Sequence, residues 1–148
     1  MVMEYLRVVM PSLNEAVMGV KIECVVFDTS ALLLMFTEGI RVVDQVIELV
    51  NSPIIPVIPY PILNELMKLS RLGRPRVIRA SRSALSYIIS NFSIANATGS
   101  PDDSVVEVAR KYNCIAVTCD MKLLRRLRQL GIKTIYLRAS SGRFETEN

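Results

Sequence analysis

Five carboxylates in this 148-residue sequence stand at one kind of place, just after an apolar run that reads as a strand. Asp28 ends "IECVVFD", Glu65 lies in "LNELMKL" about a turn into the segment after "IIPVI", Asp102 and Asp103 follow "FSIANA", and Asp120 follows "CIAVTC". Each has an ordinary structural explanation: an Asx-turn for Asp28, a solvated helix position for Glu65, favourable helix-dipole placement for Asp102 and Asp103, and a helix N-cap for Asp120. Taken together they suggest chemistry. Carboxylates held close raise one another's pKa unless a cation compensates, and an oxygen-only ligand set favours Mg²⁺ or Mn²⁺ over zinc. An ion held this way lowers the pKa of bound water.

Composition narrows the alternatives. The chain has no histidine, which removes Ser-His and Cys-His nucleophiles, histidine general bases and imidazole-ligated zinc. Cys24, Cys114 and Cys119 are odd in number, form no C-x-x-C pair and sit in or beside apolar runs. They read as small buried thiols, and a disulfide framework is not expected.

The elements that must position the acids follow from hydrophobic pattern. "IECVVFD" is a buried strand, and 37–50 carries Ile40, Val43, Ile47 and Val50 at helical spacing. "IIPVI" is a second strand, with Pro56 marking an edge or an irregularity. Pro61 opens a helix closed by Gly73, and a basic helix follows from about Pro75 to Ile89. After the weak strand "FSIANA", Ser100 and Pro101 cap and open a helix with acids in its first turn. "CIAVT", an amphipathic helix over 120–130 with Leu123, Leu124, Leu127 and Leu130 apolar, and "KTIYL" complete the series. Alternation of strand and helix implies a parallel α/β sheet. In such a sheet ligands bind outside the strand C-termini, where the strand order reverses, so the acids share one edge.

The net charge is only +4, but the basic residues are concentrated. Residues 66–101 hold Lys68, Arg71, Arg74, Arg76, Arg79 and Arg82 without an acid; 121–144 hold Lys122, Arg125, Arg126, Arg128, Lys133, Arg138 and Arg143, again without one. Such windows suit a polyanion, and equally suit solvated helix faces.

Other acidic α/β sites fit less well. The first strand ends in "DTS" and lacks the Asp-x-Asp of haloacid-dehalogenase phosphatases and the paired acids of a response-regulator receiver. There is no Gly-rich phosphate loop. The chain resembles the PIN-domain ribonucleases instead. "VVFDTSALL" is similar to that family's first strand and catalytic aspartate, "LNELMKL" to its helical glutamate motif, and "DDSVVEVARKYNCIAVTCD" to its third and fourth acids, with Asp102 and Asp120 18 residues apart and Ala109 in register between them. The resemblance spans about 22–138, and "CIAVTCDMKLLRRLRQLGIKTIYLR" is especially similar to archaeal members near the rRNA-processing branch; VapC toxins share the same core.

The resemblance implies an α/β/α sandwich around a central, mainly parallel five-stranded sheet. It implies catalytic Asp28, Glu65, Asp102 and Asp120, a metal held by Asp28, Asp102, Asp120 and the neighbouring Asp103, and site hydroxyls at Thr29, Ser30 and Thr118. The expected activity is divalent-metal-dependent hydrolysis of RNA, with Mg²⁺ or Mn²⁺ as cofactor and Arg71, Arg74, Lys122, Arg125 and Arg128 as phosphate contacts. A non-catalytic RNA-binding or assembly module on the same fold is the alternative. The expected partners are RNA and an antitoxin or a ribosome-assembly factor, with a homodimer implied by resemblance alone. Residues 1–20 read as an extension, a short extra helix or an upstream start before Met18, ahead of a nuclease domain over 21–140 and a tail over 141–148. With no signal peptide and no apolar run near the ~20 residues of a membrane span, the expected location is the cytoplasm.

Overall fold

Short β-branched runs bounded by Asp, Asn, Gly and Pro form the strands, and the longer periodic segments between them form the helices. The computed structural model describes residues 21–138 and 143–147, so the extension over 1–20 lies outside the described residues. Its elements are β1 (Glu23–Phe27), α1 (Thr29–Thr37), α2 (Val42–Val50), β2 (Ile54–Pro59), α3 (Tyr60–Leu69), α4 (Pro75–Asn91), β3 (Ser93–Ala95), α5 (Pro101–Lys111), β4 (Ile115–Thr118), α6 (Met121–Gln129), β5 (Thr134–Arg138) and β6 (Arg143–Glu147).

Five strands run parallel in the order β3-β2-β1-β4-β5, as expected for the α/β class. The chain leaves β1 toward β2 on one side and returns to pair β4 on the other. The strand order therefore reverses between β1 and β4, the strands that lead into Asp28 and Asp120. A sixth strand was not expected: β6 pairs antiparallel with β5, from Arg138 opposite Arg143 to Thr134 opposite Glu147, within the segment read as a tail. β2 lies inside the sheet and not at its edge, but β3 begins opposite Val57, one residue past Pro56. The residue without an N–H thus sits where β2 has a neighbour on one side only.

The core begins at the sheet. Val25, Val26, Phe27, Val57, Ile58, Ala116 and Val117 are wholly buried, and Phe27 packs on Phe92 with ring centroids 5.1 Å apart. Burial of each large side chain contributes about 1.5–3 kcal/mol. α5 packs on β1, β2 and β4, α6 on β4 and β5, and α3 on β2 and β3, while α4 lies against α1 and α3.

Three local expectations change. Residues 29–37 form α1, which periodicity does not reveal because "ALLLMF" offers no polar face to contrast with an apolar one. The helix expected over 37–50 starts only at Val42, beyond a turn in which Gly39 takes φ 65°; its buried face is Val42 and Val46, and Ile47 is exposed. In α6 Leu123, Leu124 and Leu127 are buried as expected, but Leu130, at the cap, is exposed.

The cysteines require a correction. Cys24 and Cys114 form a disulfide, with Cα atoms 4.6 Å apart at a sequence separation of 90. Val25 pairs with Ile115 across β1 and β4, so the preceding residues, Cys24 and Cys114, face each other. The partnership is a consequence of strand register, which no local spacing rule contains. Cys119 remains a thiol.

Candidate active site

Asp28 is the anchor. It caps α1, its Oδ1 accepting the Thr29 N–H at 2.8 Å. Its Oδ2 accepts the hydroxyls of Ser30 at 2.8 Å and Thr118 at 2.9 Å. Those hydroxyls also accept from β4's exit: Ser30 Oγ from the Cys119 N–H and Thr118 Oγ1 from the Asp120 N–H, each at 3.0 Å. The two strand ends at the order reversal are laced together through Asp28, and Thr29, Ser30 and Thr118 all lie at the site.

Glu65 reaches the same place from α3. The Thr29 hydroxyl donates to Glu65 Oε2, tying the helix after β2 to the residue beside Asp28. Asp120 performs its ordinary structural task as well: it caps α6, Oδ1 accepting the N–H groups of Lys122 at 2.8 Å and Leu123 at 3.4 Å. Capping and a place at the site are compatible.

Electrostatics show which acids feel one another. Asp28 is 4% exposed. Burial pushes its carboxyl above the usual range, the Ser30 and Thr118 hydrogen bonds oppose this, and the charge of Asp102 adds to the upward shift. Burial also raises Asp102, reinforced by the charge of Asp120 and opposed by Arg126 and Lys122. Asp28, Asp102 and Asp120 therefore form a chain of mutually felt negative charge.

Asp103 departs from the pattern. It is exposed, and its Oδ1 takes the Arg126 guanidinium at 2.6 Å, which holds its carboxyl below the usual range together with the Ser100 hydrogen bond. Arg126 was not singled out by sequence reasoning; only its place in a basic window hinted at a role. Cys119 offers no thiolate, because burial, with the charge of Asp28 added, pushes its thiol up to about 12.

The donor set is oxygen only, and it carries surplus negative charge that a divalent cation would relieve. Among the described residues no three acidic or sulfur side chains stand close enough to cage an ion. Mg²⁺ does not require such a cage, because it keeps several waters and is commonly bound through one or two carboxylates plus substrate phosphates.

The expected phosphate contacts, Arg71, Arg74, Lys122, Arg125 and Arg128, are exposed. Lys122 is close enough to Asp102 to act on its charge. Three arginines of the first basic window have structural work: Arg71 Nε donates to the Met67 carbonyl at 3.3 Å, Arg76 donates to the Thr37 carbonyl at 2.5 Å and to Glu38 at 3.0 Å, and Arg82 Nε donates to the Ser70 carbonyl at 3.2 Å.

Comparison with known proteins agrees with this geometry. The chain is 33% identical over 118 residues to Ribonuclease VapC9 of Archaeoglobus fulgidus, covering 80% of this chain and 85% of that protein. Among solved structures, the PIN domain endonuclease Utp24 superposes with a TM-score of 0.67 at 22% identity, covering 84% of this chain and 90% of the other. VapBC2 from Rickettsia felis, solved with a DNA fragment from its promoter, matches with a TM-score of 0.54 at 15% identity over 70% of this chain and 92% of the other; at these identities the structures speak for the fold alone. Residues 25–140 match the PIN like domain family, and with Asp28, Glu65, Asp102 and Asp120 all inside that span, the chain belongs to it.

Proposed function

We propose that this protein is a divalent-metal-dependent endoribonuclease that hydrolyses RNA phosphodiester bonds. The observation that carries the reading is the set of mutually felt charges of Asp28, Asp102 and Asp120 at the reversal of strand order. The similarity to Ribonuclease VapC9 supports RNA as the substrate. Asp28, Asp102 and Asp120 would share the hold on Mg²⁺ or Mn²⁺, one or two binding it directly and the rest through its waters, with Glu65 beside Thr29. When bound, the ion would supply a water of lowered pKa and offset charge on the attacked phosphate.

The chain's own residues do the rest. Ser30 and Thr118 keep Asp28 oriented and, by donating to its carboxylate, favour the charged form that a cation needs. Thr29 holds Glu65 toward the same place. Lys122, Arg125 and Arg128 on α6, with Arg71 and Arg74 beyond α3, would contact phosphates and position the strand without reading its sequence.

As to role, the VapC9 similarity favours a toxin-type ribonuclease restrained by an antitoxin; a ribosome-assembly partner and a homodimer rest on family resemblance. No helix among the described residues is long and apolar enough to cross a membrane. An RNA substrate fits a cytoplasmic location, although disulfides are uncommon there; Cys24 and Cys114 are 2% and 3% exposed.

The test is cleavage of single-stranded and structured RNA by purified protein in Mg²⁺, in Mn²⁺ and in excess EDTA. Cleavage that stops in EDTA and returns with added metal is expected. Undiminished cleavage in EDTA rules out the metal mechanism, and RNA binding with no cleavage under any condition leaves the non-catalytic module.

A further inference from the structure

Asp102 and Asp103 are adjacent on the first turn of α5, and successive helical side chains point about 100° apart. They cannot both face Asp28 and Asp120, so something must decide between them. The structure supplies a selector. Arg126 Nη1 takes Asp103 Oδ1 at 2.6 Å, and Arg126 lies on α6, the helix that Asp120 caps. The pair thereby ties the first turn of α5, which carries Asp102, to the last turn of the helix that Asp120 caps. Gly99, at φ 87°, stands beside Asp103, where an added Cβ would meet the Asp103 Cβ at ordinary contact, 3.4 Å.

We infer that Arg126 is a positioning residue of the metal site, turning Asp103 aside through their ion pair and holding Asp102 at its working distance from Asp120. The inference rests on the nuclease reading above. The pair is half exposed, with side-chain exposures of 45% and 55%, and exposed pairs contribute little to stability. Its consequence is therefore geometric: removing it barely changes the melting point of the metal-free protein but weakens the metal site. Two rival explanations make other forecasts. A plain surface pair changes nothing at the site, and an arginine that contacts RNA acts on substrate binding without help from Asp103.

The experiment compares the parent with Arg126→Gln, Arg126→Lys, Asp103→Asn and the double variant Asp103→Asn/Arg126→Gln. Thermal melts titrated with Mn²⁺ report metal affinity without reference to activity, and initial rates on an RNA oligonucleotide give kcat and KM. Outer-shell partners of a metal typically contribute 10–100-fold to affinity, so each Gln or Asn variant is expected to need about tenfold more Mn²⁺, with reduced kcat and unchanged KM. The double variant should be no worse than either single one, because both remove the same pair. Lysine, which keeps the charge but not the planar fork, should recover part of the loss. Parent-like Mn²⁺ midpoints in both single variants, or a KM increase confined to Arg126→Gln, overturn the assignment. A parent that neither responds to Mn²⁺ nor cleaves RNA overturns the nuclease reading itself; a responsive parent with unaffected variants overturns only the role of Arg126.

Discussion

At the carboxyl edge of the sheet the helices begin and the acids gather; at the amino edge α5 and α6 end and the bases gather. There a cleft of about 300 Å³ is lined by Lys21, Glu23, Arg110 and Lys133 beside Cys114. Helix dipoles alone would sort charge in this way, acids toward N-termini and bases toward C-termini. Sorting therefore does not identify a site. What differs is burial: Asp28 is 4% exposed and is pushed toward its neutral form, whereas the Lys21 side chain is 69% exposed and pairs with Glu23 at 2.9 Å. Charge held out of water against its own preference is the kind that a bound cation would compensate, while charge left in water needs no ligand.

The largest expected difference between the edges is in catalysis. Asp28→Asn keeps the size of the side chain but removes the charge, and should lower cleavage by more than about 100-fold, beyond what outer-shell partners contribute. Arg110→Gln at the other edge should leave the rate unchanged. The same Asp28→Asn protein checks the electrostatics in EDTA. With its folded pKa raised, Asp28 binds more protons folded than unfolded, so it makes stability fall as pH rises from the ordinary carboxylate value through the raised one. At neutral pH the metal-free variant should be as stable as the parent or more so, and thermal melts at pH 4 to 7 should show a flatter profile. A destabilised variant in EDTA would mean that the carboxylate is merely structural.

Next in size is the disulfide that joins β1 to β4 below the site. Replacing Cys24 and Cys114 together by alanine should cost about 2–4 kcal/mol, the usual range for a native bridge. Urea denaturation of parent and variant, with and without reductant, measures it. Coincident midpoints under non-reducing conditions would remove the bridge from the account of how the two strands are held.

The smallest effect sharpens the contrast in charge. Arg125→Gln on α6 should flatten the slope of log K against log salt for single-stranded RNA by about 0.7, the contribution of one phosphate contact, while Arg110→Gln leaves the slope alone. Filter-binding titrations across salt concentrations separate the two. Equal slopes for both variants would reduce α6 to a solvated face.

Much of this was present in the order of residues. Runs such as "IECVVFD" and "CIAVTC" state their strands and the acids that end them, since β-branched apolar stretches are stable mainly when buried on both faces. Ser100 and Pro101 state where α5 starts, because capping is a local hydrogen-bond problem. Residue pattern with family resemblance thus named Asp28, Glu65, Asp102 and Asp120, and the absence of histidine limited their chemistry. α1 was illegible, its apolar run lacking a face to contrast. Tertiary structure alone decided the rest. Parallel register set Cys24 opposite Cys114 across 90 residues, and the approach of α6 to α5 let Arg126 take Asp103 and leave Asp102 facing the other acids. Those outcomes depend on distances between segments remote in the chain, and a linear pattern carries no information about distance until the sheet has closed.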